Sequence, residues 1–243
     1  MFERKKVAMI AAEVLATAML TMGILAITKS AIGIPYFVAL GAGLTLAVIT
    51  MLFVNVSGAH ANPAITLGQW TVRKIDTGRA VVYIAAQFLG AVMAWQLYVY
   101  LVDRTLQNIA GKEFDWRVLV AEMVGTFVLS FGIAAVTFGK QDEKRMAAAI
   151  VGGSFALGIM AAGVASNALL NPAVALGVQS WSIAYVVGPV IGSVIGMNLF
   201  AMLFAPESAL SFAKPVASKS VSKSRKTAKP AKSAAKSSAR RKK

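Results

Sequence analysis

Asn62-Pro63-Ala64 and Asn171-Pro172-Ala173 are the two stretches that decide the fold of this chain. They lie 109 residues apart, and the same offset relates Glu13, in Ala12-Glu13-Val14-Leu15-Ala16-Thr17, to Glu122, in Ala121-Glu122-Met123-Val124-Gly125-Thr126. Two unrelated motifs that share one offset indicate a duplicated half-chain. In membrane proteins such repeats commonly build a pathway at their interface, so the first interpretation is a channel or a transporter.

The composition is that of a membrane protein. The chain is 57% hydrophobic and 14% charged, with a mean hydropathy of +0.67, which is far too apolar for an ordinary soluble domain. It has no cysteine and one histidine, which excludes disulfides, cysteine zinc or redox sites and histidine-cluster metal sites. No cofactor is therefore expected. The apolar run from Val7 to Ile27 is long enough to span a bilayer, so we interpret it as a first membrane helix and not as a cleaved signal peptide.

Six stretches are predicted to span the membrane, and the fifth is rich in small residues that suit close helix packing. They are Val7–Thr28, Pro35–Val56, Ala80–Val102, Val118–Phe138, Ala147–Ala165 and Ile183–Phe204.

Two apolar pieces are too short to span. One runs from Asn62 to about Thr71 and the other from Asn171 to about Ser180. Each begins with Asn, a good N-cap, followed by Pro, which is favoured at the first helical position. Each therefore reads as a half-helix that starts at its Asn. Irregular backbone at membrane depth is tolerated only where it is buried in protein or lines a watery cavity.

The charges predict domains and topology. Residues 1–207 carry 13 basic and 10 acidic side chains, whereas residues 208–243 carry 12 basic side chains and no acidic one. We expect a membrane domain over 1–207, with repeats at about 7–102 and 116–205, followed by a disordered tail rich in Lys, Ser and Ala.

The positive-inside rule places both termini in the cytoplasm. Each repeat has three spans, an odd number, so the two repeats are inverted. The residues assigned to the cytoplasmic side are Arg4, Lys5, Lys6, Arg73, Lys74, Arg79, Lys140, Lys144 and Arg145.

The tail predicts an electrostatic partner. Because it is tethered to a membrane protein, anionic lipid is favoured over nucleic acid, although a solvated extension that only reinforces topology is an equal alternative.

The paired motifs predict a specific kind of pore. If two half-helices enter from opposite faces and meet end to end, their positive N-termini point at the pore centre. The amides of Asn62 and Asn171 add hydrogen-bond donors there. A passing water must turn its oxygen toward both donors, which opposes a proton wire and repels cations while neutral molecules pass. His60 is interpreted as a residue that braces the loop, with a pH-sensing gate as the alternative.

The chain closely resembles the aquaporin family, the major intrinsic proteins. The resemblance covers about residues 7–205 and rests on Ser57-Gly58-Ala59-His60-Ala61-Asn62-Pro63-Ala64-Ile65-Thr66, on the two glutamates and on Tyr185-Val186-Val187-Gly188-Pro189. It implies an all-α membrane fold of six transmembrane helices plus two half-helices, in the plasma membrane, as a homotetramer. It also implies that Glu13 and Glu122 accept hydrogen bonds that hold the motif loops, whereas a merely structural carboxylate is what an intramembrane glutamate otherwise suggests.

The resemblance also locates a selectivity filter, and here the chain departs from the family. Ala42, Ile159, Ala168 and Val174 fill the four positions, and Val174 stands where the family usually has Arg. No aromatic ring narrows this site and no cation supplies donors. The expected filter is wider and apolar, admitting water and small neutral solutes such as glycerol or urea, with little discrimination by hydrogen bonding.

Three other functions are alternatives to a passive channel. An ion-coupled secondary transporter also uses inverted repeats, but it needs ionisable groups facing the pathway, and only Glu13 and Glu122 lie within predicted spans. An enzyme would need a nucleophile with a base, or a metal cluster, and none is found. A non-conducting junctional protein that acts through its tail is the third alternative.

Overall fold

Over the residues that the structure describes, the chain folds into helices, six of which are long and apolar enough to cross a bilayer. The computed structural model describes residues 3–29, 35–111, 113–139 and 143–207, and no strand occurs among them. The six predicted spans are confirmed, and the tail at 208–243 lies outside the described residues. The helices in chain order are α1 (Arg4–Lys29), α2 (Pro35–Phe53), α3 (Pro63–Thr71), α4 (Thr77–Val102), α5 (Trp116–Phe138), α6 (Lys144–Ala162), α7 (Pro172–Gly177) and α8 (Ile183–Phe204).

Helix ends differ slightly from the predicted spans because capping, and not apolarity, sets them. The side chain of Asp76 accepts the backbone N–H of Arg79, so α4 begins at Thr77 and not at Ala80. That hydrogen bond also lowers the pKa of the Asp76 carboxyl. Asp115 caps α5 in the same way through the N–H of Arg117. A polar first turn at the membrane surface is thus part of the helix although a hydropathy pattern leaves it out.

The two short helices begin where the sequence predicts. Asn62 accepts the N–H of Ala64 at 2.9 Å, and Asn171 accepts that of Ala173 at 3.0 Å. In each case Pro takes the first helical position. Helix α3 has 9 residues and reaches Thr71 as expected, but α7 has 6 and ends at Gly177, short of the expected Ser180. The chain turns there because Gln179 adopts a left-handed conformation, with φ 62°.

The packing joins the two repeats. Helix α3 packs on α8 and α7 packs on α4, so each short helix lies against the last span of the other repeat. Helices α2 and α6 cross at Gly43 and Gly152, two positions that the 109-residue offset relates. A Cβ at Gly152 would lie 2.5 Å from the carbonyl oxygen of Gly43. The absence of a side chain is therefore what lets the repeats approach here.

We expect Gly152→Ala to lower the thermal-unfolding midpoint of the detergent-solubilised protein, because the added methyl group forces α2 and α6 apart. Gly153→Ala is the matched control, since a Cβ at Gly153 meets nothing within 4 Å. That control should keep or slightly raise the midpoint, because alanine has the better helix propensity. Equal midpoints for both variants would contradict the assigned contact.

Candidate functional site

The loops that precede α3 and α7 share an unusual backbone. Ala59 and Ala61 in the first loop have φ of 53° and 48°, and Ala168 and Leu170 in the second have 52° and 54°. A left-handed conformation costs a non-glycine residue about 1–2 kcal/mol. Four such residues at equivalent positions persist only because the surrounding structure holds them.

Two buried glutamates hold these loops. The carboxylate of Glu122 accepts the Ser166 hydroxyl at 2.8 Å and the N–H groups of Leu169 and Leu170 at 3.0 and 2.7 Å. Glu13 accepts the equivalent three donors, which are the Ser57 hydroxyl at 2.6 Å, the His60 N–H at 3.1 Å and the Ala61 N–H at 2.9 Å. Neither glutamate has exposed surface. The three hydrogen bonds that each carboxyl group accepts offset the strained backbone.

The first loop has additional polar support. Gln87 donates to Glu13 at 2.7 Å and to the Thr66 hydroxyl at 2.9 Å. The Nδ1 atom of His60 lies 3.1 Å from the same hydroxyl, and its ring packs edge-on against Tyr83. His60 is thus braced on two sides. Gln87 is a supporting residue that was not predicted from the sequence, although a polar side chain within a span is a recognisable signal.

The two asparagines bridge the repeats. The amide of Asn62 donates to the carbonyl of Leu170 at 2.8 Å, and that of Asn171 donates to the carbonyl of Ala61 at 2.8 Å. Each side-chain oxygen is occupied by its own helix N-terminus. An amide group carries two hydrogens, so each asparagine keeps one donor beyond this bridge.

Both asparagines line one small cavity of about 10 Å³. That is about the least space that holds one water molecule. The cavity shares lining residues with a larger one of about 370 Å³, here called the His60-side cavity. It shares none with a cavity of about 400 Å³, here called the Ile159-side cavity. Its remaining walls are mainly apolar and include two pairs related by the 109-residue offset, Leu20 with Leu129 and Leu46 with Phe155.

The two larger cavities are lined by equivalent positions of opposite repeats, which is the signature of inverted repeats around one path. Three of these pairs are polar on the His60 side and apolar on the Ile159 side, and a fourth pair, Gly58 with Asn167, has its polar side chain on the Ile159 side. The two cavities therefore present different side chains at several equivalent positions. The pairs are Ile24 with Ile133, Thr28 with Thr137, Val38 with Ala147, Ala42 with Val151, Thr50 with Ile159, Gly58 with Asn167, Ala59 with Ala168, His60 with Leu169 and Gln69 with Val178.

The structure brings three of the four expected filter residues together. Ala42, Ile159 and Ala168 line the Ile159-side cavity. Val174 lies in the first turn of α7, has no exposed surface and belongs to the same apolar cluster. It does not line that cavity, and its place in a filter stays a prediction.

We expect Glu122→Gln to destabilise the protein and reduce flux through it. An amide has one acceptor oxygen where the carboxylate has two, so at least one buried N–H loses its partner, at a cost of about 1–3 kcal/mol. The measurement is the thermal-unfolding midpoint together with water permeability in proteoliposomes. Glu113→Gln, at an exposed loop position, is the control and should change neither. A Glu122→Gln variant as stable as the control would show that the carboxylate does not hold the loop.

Comparisons with known proteins agree with this architecture. The chain is 32% identical over 179 residues to aquaporin AqpM of Methanothermobacter thermautotrophicus, covering 65% of this chain and 73% of that protein. It is 33% identical over 157 residues to aquaporin NIP1-1 of Oryza sativa subsp. japonica, covering 59% and 55%. The fold is similar to that of the aquaglyceroporin from Plasmodium falciparum, with a TM-score of 0.69 and 20% identity over 84% of this chain and 99% of that one. Residues 3–200 match the family model of the major intrinsic proteins. This chain therefore belongs to the major intrinsic protein family and is a multi-pass membrane channel.

Proposed function

We propose that the chain is a passive channel that conducts water and small uncharged solutes and excludes ions and protons. The observation that carries the proposal is the small cavity of about 10 Å³, which Asn62 and Asn171 line together. In a space for about one water molecule, a permeant is held against two amide donors and mainly apolar walls. A permeant passes only if hydrogen bonds from these two donors are nearly all the hydrogen bonds that it requires.

The exclusion of protons follows from orientation. A water whose oxygen accepts from both asparagines has its hydrogens turned away along the path. It then cannot accept a proton from one neighbour and pass one to the next. The N-termini of α3 and α7 meet beside the same point and add a positive potential that opposes cations.

A coupled transporter is disfavoured by the positions of the carboxylates. Glu13 and Glu122 are fully buried, and each already accepts at least three hydrogen bonds from the loops. None of the residues that line the His60-side or Ile159-side cavities is a carboxylate. Proton or cation coupling needs such a group on the path.

Selectivity among neutral solutes is assigned to the Ile159-side end. The walls there are apolar at the positions of Ile159, Leu169 and Val178, where the other end has hydroxyl, imidazole and amide groups. Apolar walls sort solutes by size and tolerate different hydrogen-bonding patterns. With Val174 in place of a cation, solutes of the size of glycerol or urea are admitted together with water.

We also propose that the His60 side faces the cytoplasm of the cell and that both termini lie there. Lys74 and Lys144 line that cavity, and α1 begins with Arg4, Lys5 and Lys6 at the end opposite Lys29, which lines the Ile159-side cavity. The positive-inside rule assigns the more basic side to the cytoplasm. A homotetramer in the plasma membrane, with the tail attracted to anionic lipid head groups, completes the proposal.

The direct test is stopped-flow measurement of proteoliposomes that contain the full chain, with a pH-sensitive dye in the lumen. The unaltered protein should accelerate water flux without proton leak. Asn62→Asp replaces a donor with a negative charge and should raise proton or sodium leak roughly tenfold, the factor for about 1.4 kcal/mol. Asn108→Asp, at an exposed loop position, is the control and should behave like the unaltered protein. Absence of water flux in the unaltered protein would contradict the proposal.

The filter assignment predicts opposite effects of two substitutions at Ile159. Ile159→Ala should raise glycerol permeability because it widens the cavity wall, and Ile159→Trp should lower glycerol permeability more than water permeability. Leu157→Trp lies on the same helix with 60% of its surface exposed on the outside of the fold and serves as the control. If glycerol permeability is the same in all three variants, the constriction lies elsewhere.

A further inference from the structure

The side chain of Leu170, directly before the second motif, is seated in a notch between two helices. Leu170 has no exposed surface. Its Cδ2 lies 2.5 Å from the position that a Cβ on Gly125 would occupy, and its Cδ1 lies 2.9 Å from that on Gly158. A side chain at either glycine would meet both Leu170 and the backbone carbonyl of the other glycine, which lies 2.6 Å from a Cβ on Gly125 and 2.5 Å from one on Gly158. The notch therefore exists only because α5 and α6 both carry glycine at this level.

The first repeat has a different arrangement of side chains at the equivalent positions. The 109-residue offset relates Leu170 to Ala61, Gly125 to Ala16 and Gly158 to Ile49. Where the second repeat has one large loop residue and two glycines, the first has a small loop residue and two larger helical residues, all fully buried. The second repeat thus has its larger side chain in the loop, whereas the first repeat has its larger side chains on the helices. The first loop has Gln87 as an additional polar brace, whereas the second loop has the wedged leucine.

The backbone of Leu170 connects this notch to the site. Its N–H donates to Glu122 at 2.7 Å, and its carbonyl accepts the amide of Asn62 at 2.8 Å. With the nitrogen held by the carboxylate and the side chain held by the notch, the direction of the carbonyl is fixed. The carbonyl in turn fixes which way the Asn62 amide points, and so where its second hydrogen lies.

We propose that Leu170 is a positioning residue for Asn62, whose side chain keeps the Asn62 donor aimed at the permeant and thereby maintains proton exclusion. This rests on the proposed function, in which both asparagines orient the permeant. The two asparagines are then fixed by different means. Asn62 depends on apolar packing in the second repeat, and Asn171, which donates to the Ala61 carbonyl, depends on the polar network around Glu13.

The test is the ratio of proton leak to water permeability in proteoliposomes. Leu170→Ala should raise this ratio roughly fivefold, the factor that corresponds to one net hydrogen bond. Leu170→Met refills the notch with a side chain of similar volume and should restore the ratio of the unaltered protein. Leu119→Ala truncates a buried leucine in the first turn of α5, about two helical turns from Gly125 in sequence and outside the notch. It should lower stability without changing the ratio.

A second variant covers the case in which Leu170→Ala does not reconstitute. Leu170→Gly also empties the notch, but glycine adopts φ near 54° without strain, so this variant removes the leucine side chain with less backbone strain than Leu170→Ala. It should raise the ratio in the same direction. An unchanged ratio in the Ala or Gly variant, or an equal rise in Leu119→Ala, would overturn the role of Leu170. Absence of water flux in the unaltered protein would instead overturn the proposed function.

Discussion

Two buried carboxylates hold the backbone in the left-handed conformation on which the rest of the structure depends. Glu13 and Glu122 each accept two backbone N–H groups and a serine hydroxyl from the loop before a short helix. Without these bonds the strained loop residues would relax, and the carbonyls of Ala61 and Leu170 would no longer face the asparagines of the opposite repeat. A charge buried inside a bundle is costly unless it is fully hydrogen-bonded, and here the loops satisfy it.

Duplication explains the architecture, and divergence between the copies explains how the two ends differ. Equivalent positions line the two larger cavities, so both repeats contribute to each of them. The first repeat lines the His60-side cavity with Thr50, His60 and Gln69, and the second lines the Ile159-side cavity with Ile159, Leu169 and Val178 at the matching positions. The two cavities therefore differ in side-chain chemistry at these positions, although both halves share one backbone design.

Much of the fold follows from the sequence because its signals are local. Apolar length marks the spans, and Asn followed by Pro marks each short helix. The offset that pairs Glu13 with Glu122 also pairs Ser57 with Ser166, so both serine contacts could be predicted from the sequence. The end of α7 could not be predicted from the sequence, since it depends on one left-handed residue, Gln179. The notch for Leu170 could not be predicted either, because its two glycines lie on α5 and α6 and only packing brings these helices to the loop that carries Leu170.

An experimental structure at a resolution that shows ordered water tests the central claim most directly. If both asparagines act on one permeant, a single water should lie at hydrogen-bond distance, about 2.7–3.2 Å, from the side-chain nitrogens of both Asn62 and Asn171. Its neighbours should approach it only along the path. Separate waters bound to each asparagine, or a continuous hydrogen-bonded file past them with no shared molecule, would contradict the claim.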